Sequence, residues 1–556
     1  MLDRRAFLGG VASLAAVPWL AGCGRVAEVF EHDDDEQESG SWLRCCIDPP
    51  ASIDPATLMD AAGAQVALQL FDPLMRYDPI SHELTCLAAS SYEVSADART
   101  FTFHLKEGAT FHAGDAVDAV SFKRAWERLF TAELAGDDAA DEDSVVAPNA
   151  ALLTHVSGWE ACRDGSATEL VGVTCPDAYT LQVVLDDAFA EFPALLCHPA
   201  LSPVPSSAIS DAATFALTPQ GNGAFAFEAA RKDGDAIRLV RNDAYAGDAP
   251  ALDGVKFVTE SDTVAAFKRY EAGDADLCAV PVEQLENVKK NMGESEDGYR
   301  ATAGHRLLRG PRPQLQYLVC NMASAKLANL PLRRALSCAI DRDALAEKTL
   351  SGAYVAATGL LSPCLGAADA WSACTYDAEQ AASLLEAGYP ADESGARELT
   401  VALACSKHGV APKIADAVVS DLSALGVKVT IELSERADLL QRLRTGDFEL
   451  ALTSWAPAAP SWDAAVAPIV ASSYAGQTNV SGYTEASVDE ALASAHAATD
   501  SSTRQSLIAG ALATAGEALP VIPLAFSAPP VVVSEHVATL ELGAFGAARL
   551  SEATLV

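Results

Sequence analysis

Between Pro412 and Leu433 the apolar residues change period. Ile414, Val418, Leu422 and Leu425 recur at helical spacing, Gly426 follows, and Val427, Val429, Ile431 and Leu433 then alternate with polar neighbours. A period near 3.6 buries a stripe of a helix, and a period of 2 buries one face of a strand. Helix, glycine cap and strand in immediate succession predict an α/β architecture. Phe101, Phe103 and Leu105 alternate with Thr102, His104 and Lys106 as a half-buried strand. Asp97 and Thr100 precede that strand, and Asp177 and Thr180 precede another at Leu181–Leu185. We read the echo as shared hairpin chemistry rather than an internal repeat. With 556 residues, half of them hydrophobic, the chain has material for roughly three to four domains of about 150 residues.

The N-terminus reads as an export address. Arg4 and Arg5 precede an apolar stretch from Ala6 to Gly22 that is too short, and too rich in Gly9, Gly10 and Pro18, for a secure membrane span. Asp3 to Leu8 resembles a twin-arginine signal, with Asp where Ser or Thr is usual. Leu20-Ala21-Gly22-Cys23 resembles a bacterial lipobox, which implies cleavage before Cys23 and lipidation of its thiol. Residues 23–41, acidic from Glu28 onward, then form a solvated tether. No later run approaches 18 uninterrupted apolar residues, so lipid alone is expected to hold the chain at the membrane.

Charge removes one class of partner. Asp and Glu number 76 against 38 Lys and Arg, a formal net charge of −38, and nucleic-acid binding needs the opposite footprint. Gly136–Ser144 reads as an acidic surface loop. Catalytic signatures are missing: there is no P-loop, H-E-x-x-H, C-x-x-C or G-x-S-x-G. Gly221-Asn222-Gly223 only mimics a dinucleotide fingerprint, because a strand rather than a helix follows. His104, His112, His198 and His305 lack metal-ligand spacing, so no metal and no cofactor are expected. Of thirteen cysteines, Cys364 with Cys374 and Cys162 with Cys175 are the candidate disulfides of an exported chain. Cys338, in an apolar helical run, reads as a small buried hydrophobe.

From Ile53 onward the chain resembles the bacterial extracellular solute-binding proteins of family 5, the oligopeptide- and dipeptide-binding group. The ordered matches are Ile53-Asp54-Pro55, Leu70-Phe71-Asp72-Pro73-Leu74, the stretch Ala88–Arg128, Cys197–Pro205, Asn222-Gly223-Ala224-Phe225 and Arg241–Tyr245. They continue with Ala272–Leu277, Leu332–Leu336, Ile340-Asp341-Arg342, Tyr376–Pro390, Phe448–Trp455 and Leu519–Pro523. The resemblance implies an α/β, two-lobed, periplasmic-binding-protein-like fold of the type II, three-domain kind. Lobe I would comprise 42–75, 211–305 and 525–556. A domain at 76–210 would be inserted in it, and lobe II would be 306–524. The implied role is a non-enzymatic, monomeric, extracytoplasmic lipoprotein that captures peptides or other small solutes and passes them to the permease subunits of an ABC-type importer. A sensor lipoprotein for a non-peptide or N-blocked ligand, and more distantly a secreted hydrolase, are the competing readings.

Ligand-binding positions implied by the resemblance are Asp60, Ala61, Asn222, Gly223, Tyr317, Trp455, Ala458 and Asp463. One departs from the family. Peptide binders of this type carry W-x-x-D, whose Asp pairs with the peptide α-ammonium, because a positive group in a dry cleft needs a fixed counter-charge. Here the segment is Trp455-Ala456-Pro457-Ala458, and Leu452 stands where some members have Arg. Asp463 and Asp60 are the candidate replacements. Trp126, by contrast, is expected in the core.

Overall fold

The computed structural model describes residues 40–131, 147–229, 237–366, 370–371, 375–393 and 397–556. The export signal, Cys23, the tether up to residue 39, the acidic loop Gly136–Ser144 and Cys374 lie outside the described residues. Two mixed sheets organise the rest. The first has seven strands in the order Leu307–Leu308, Val531–Val533, Leu277–Ala279, Trp42–Ile47, Gly254–Thr259, Ile237–Arg241 and Phe225–Phe227. Trp42–Ile47 is parallel to both of its neighbours. The second has six strands in the order Tyr354–Ala356, Val521–Ser527, Leu315–Cys320, Leu450–Trp455, Thr400–Ser406 and Lys428–Ser434. Every residue of Leu315–Cys320 and Val521–Ser527 is buried, as continuous apolar strands covered on both faces must be.

The period switch behaves as expected. A helix spans Ala411–Ala424 with Ile414, Val418 and Leu422 buried, Gly426 turns the chain at φ +86°, and the Lys428–Ser434 strand follows. That strand is the sheet edge, which is why Leu433 is 55% exposed despite its alternating position.

A four-stranded antiparallel sheet is built from Ala89–Val94, Thr100–Leu105, Thr180–Val184 and Val173–Asp177, in that order. Phe101, Phe103 and Leu105 are buried, and the Ala119–Arg128 helix, with its buried Phe122, Ala125 and Trp126, packs on the Val173–Asp177 and Thr180–Val184 strands. Asp118 starts that helix by accepting from the Ser121 amide at 2.8 Å. Trp126 is fully buried and donates to the Leu201 carbonyl at 2.9 Å.

The chain crosses from the first sheet to the second between Leu308 and Leu315, and returns between Ser527 and Val531. The two crossings bond to each other: Arg312 N–H donates to Ser527 O at 2.7 Å and Ser527 N–H to Gln314 O at 2.9 Å. This moves the expected boundaries. Leu307–Leu308 still pairs with Val531–Val533 in the first sheet, and Val521–Ser527 carries the second sheet beyond residue 524. Register, which no local pattern specifies at an all-apolar strand, sets these limits.

Candidate ligand cleft

The strand Leu450–Trp455 is half-partnered. On one side it pairs with Leu315–Cys320 along its whole length, from Leu450↔Cys320 to Trp455↔Leu315. On the other it meets Thr400–Ser406 only at Leu450 and Ala451. Among the described residues, no strand pairs with that second edge from Leu452 to Trp455. A loop, Ala456–Ser461, follows, and the Trp462–Val470 helix begins with Ser461 accepting from the Ala464 amide at 3.1 Å. The Trp455 indole donates to Ala464 O at 2.9 Å, tying the strand end to the first turn of the helix. Trp462 donates to Leu365 O at 2.7 Å, with the Arg504 guanidinium 5.7 Å from its ring centroid.

Of the positions implied by the resemblance, Trp455 and Ala458 belong to this wall, and Ala458 is exposed. Tyr317 lies one strand away, opposite Thr453, where burial pushes its phenol pKa up. Asp463 is buried and committed: its carboxylate accepts from His496 Nε2 at 2.7 Å. The His496 imidazole loses hydration on burial, which opposes its charge, yet the Asp463 hydrogen bond and charge leave its pKa raised. Asp60 caps the Ala61–Leu70 helix, accepting from Gly63 N at 2.7 Å and from Ala51 N at 3.0 Å, and Ala61 is the exposed first residue of that helix.

Asn222 and Gly223 are engaged elsewhere. The Asn222 amide exchanges hydrogen bonds with the Asp72 backbone at 3.0 and 3.3 Å. Gly223 N–H donates to Leu70 O at 2.8 Å, and a Cβ there would lie 2.5 Å from the Leu70 carbonyl carbon. Glycine is needed for that close backbone approach.

Several family-like motifs meet one another in the same way, as buried staples. Asp54 and Arg128 form a bidentate pair at 2.6 and 2.5 Å, with Phe215 under the guanidinium. Asp72 accepts from the Tyr245 hydroxyl at 2.7 Å, and burial lifts its pKa to about 6. Arg333 donates to the carbonyls of Leu327, Ala518 and Leu519, and Arg342 to those of Ser337, Ile340 and Pro523. His112, whose pKa burial lowers to about 4, accepts from Gly221 N through Nδ1 and donates from Nε2 to Gly223 O.

The expected disulfides receive a correction. Cys162 and Cys175 are both free thiols, and so is Cys364. Cys162 sits on a short helix and Cys175 on a strand of the four-stranded sheet, each packed as a small apolar group. Cys338 is fully buried, as read. Among the described residues no group of three or more His, Cys, Asp or Glu side chains is placed to hold a metal, and no helix is long and apolar enough to cross a membrane. An open depression of about 500 Å³ on the four-stranded sheet, between His104, Lys106, Asp177 and Tyr179, shares no residue with the Trp455 wall. The residue that sequence reasoning missed is Glu191, a buried carboxylate at the start of the Trp462–Val470 helix. No spacing in the sequence links positions 191 and 463.

Comparison with known proteins accords with this geometry. Residues 83–477 match the model of bacterial extracellular solute-binding proteins, family 5 middle region. The probable deoxycholate-binding periplasmic protein YgiS of Escherichia coli (strain K12) is 27% identical over 494 residues, covering 85% of this chain and 86% of that protein. The periplasmic oligopeptide-binding protein OppA of Salmonella typhimurium is 28% identical over 424 residues, covering 73% of this chain and 72% of its own. Among solved structures, the unliganded open form of the murein tripeptide binding protein MppA superposes with a TM-score of 0.76 at 24% identity, over 90% of this chain and 94% of that one. HbpA2 from Haemophilus parasuis gives 0.79 at 22%, over 93% and 100%. These two likenesses show the multi-domain, two-lobed α/β fold. The staples, the order of the motifs and the match over most of the chain lead to one conclusion: this protein belongs to the bacterial extracellular solute-binding proteins, family 5.

Proposed function

We propose that the protein is the extracytoplasmic receptor of an ABC-type importer, anchored by lipid at Cys23, which takes peptides between its two lobes and hands them to membrane permease subunits. The observation that carries the peptide reading is the unpaired edge of Leu452–Trp455. Its free side presents backbone donors and acceptors to a cleft wall, and an extended main chain satisfies them by adding as a strand. OppA, named for oligopeptides, supports the same class. The lobes are taken to move about the paired crossings at Arg312 and Ser527.

A second reading keeps the fold and changes the ligand. Ala458 offers no counter-charge for an α-ammonium, and Asp463 is already bonded to His496. An N-blocked peptide or an amphipathic acid fits such a wall, and YgiS, named for deoxycholate, belongs to the relatives. Mass spectrometry of ligand co-purified with the protein tests both. Recovery of peptides supports the first reading, and recovery of a non-peptide solute replaces it. For a recovered peptide, calorimetry of its free and N-acetylated forms should give affinities within about threefold. A hundredfold loss on acetylation would mean that another acid holds the ammonium.

A further inference from the structure

Glu191 lies just beyond the four-stranded sheet, and the partners of its side chain lie at the start of the Trp462–Val470 helix in the second lobe. Its Oε2 accepts from Ser461 Oγ at 2.7 Å and from Asp463 N at 2.9 Å, and its Oε1 from Trp462 N at 3.3 Å. The side chain is 9% exposed. Three donors therefore converge on one carboxylate brought from another body. The two amides belong to the first turn of a helix, where N–H groups have no intrahelical acceptor.

The surroundings make this a designed contact between bodies rather than a lone cap. Ala190 N–H donates to His496 O at 2.7 Å, and the Phe189 ring meets the His496 ring edge-on at 5.3 Å. Arg504 Nε, buried and without a hydrogen-bond partner, is 3.8 Å from Glu191 Oε1. A shift of less than 1 Å would turn that approach into a direct bond.

We propose that Glu191 is the positioning residue of the cleft: a clasp that fixes the second lobe, and with it the Trp455–Ser461 wall, against the inserted domain. The coupling runs through named atoms. Glu191 holds Ser461, Trp462 and Asp463, and Trp455 is bonded through its indole to Ala464 in the same turn. The proposal rests on the two-lobe receptor reading only for its consequence, since the clasp exists whatever the ligand.

The test therefore uses the whole protein without added ligand. Glu191→Ala should accelerate hydrogen exchange at the Trp462 and Asp463 amides at least tenfold. It should also change the small-angle scattering curve, as the second lobe reorients about the Arg312–Ser527 crossings. Glu191→Gln keeps an acceptor oxygen for Ser461 Oγ and the Asp463 amide and loses only the one that takes Trp462 N, so its curve should lie closer to wild type than that of Glu191→Ala. A Glu191→Ala curve that superposes on wild type overturns the proposal, because a merely local cap would alter exchange and leave the lobes where they were. If the alanine variant does not fold, Glu191→Asp keeps the charge but withdraws the oxygens. An unchanged curve and unchanged exchange in that variant overturn the proposal equally. Failure to recover peptide from the protein would change none of these outcomes.

Discussion

The inserted domain meets its two neighbours in opposite ways. Toward the first lobe the seam is charged on both sides, where Asp54 faces Arg128 with two short bonds. Toward the second lobe the carboxylate of Glu191 accepts from two backbone amides and a hydroxyl, with the Arg504 guanidinium 3.8 Å away but not hydrogen-bonded to it. Parting the first seam would leave two buried charges bare. Parting the second would expose one carboxylate and a helix start, both of which water solvates readily. The first contact is therefore the costlier of the two to break.

The largest effect should come from cutting the seam. Arg128→Ala strands Asp54 in the interior, and breaking a buried pair from one side costs about 3–5 kcal/mol. Urea denaturation of the full chain measures it. A loss below about 1 kcal/mol would erase the contrast between the two contacts. Restoring part of the loss in the Asp54→Ala, Arg128→Ala double variant would sharpen it.

A smaller effect is written in pH. Burial raises Asp72 from 3.8 to about 6. Since the folded state favours the protonated form, its stabilising contribution is complete below about pH 4 and is lost as pH rises through about 6. The component is on the order of 2–3 kcal/mol. Asp72→Asn should lack it, so wild type and variant should diverge between pH 4 and 6.5 in denaturation midpoints. Parallel profiles would mean that burial of Asp72 carries no pH-linked stability.

The smallest effect belongs to the second-lobe side of the clasp. His496, raised by Asp463 against the opposition of burial, contributes stability that is complete below about 6.5 and fades as pH climbs through its higher folded value. His496→Gln should cost about 1.5 kcal/mol at pH 6, the low end for a hydrogen bond to a charged group, and clearly less at pH 9. Equal losses at both pH values would assign His496 a packing role against Phe189 alone.

The sequence by itself determined the elements and the class. The change of period at Gly426, the Phe101–Leu105 alternation and the ordered motifs around Trp126 and Arg128 are local patterns, and local backbone sterics and one-sided burial act over a few residues. The same patterns told that Ala458 stands where an acid was expected. They could not tell what the motif residues do. Asp54 and Arg128, or Asp72 and Tyr245, meet only after the chain has folded back over many tens of residues. Asn222 and Gly223 looked like ligand contacts until the Leu70 and Asp72 backbones were seen to occupy them. The free edge beyond Ala451 depends on where Thr400–Ser406 stops pairing, and register is a property of two strands together. Glu191 carried no signal at all, because its partners are two backbone amides and a serine, groups that any sequence supplies. Only tertiary structure brings an acid to a particular helix start, and only there does its burial give it a role.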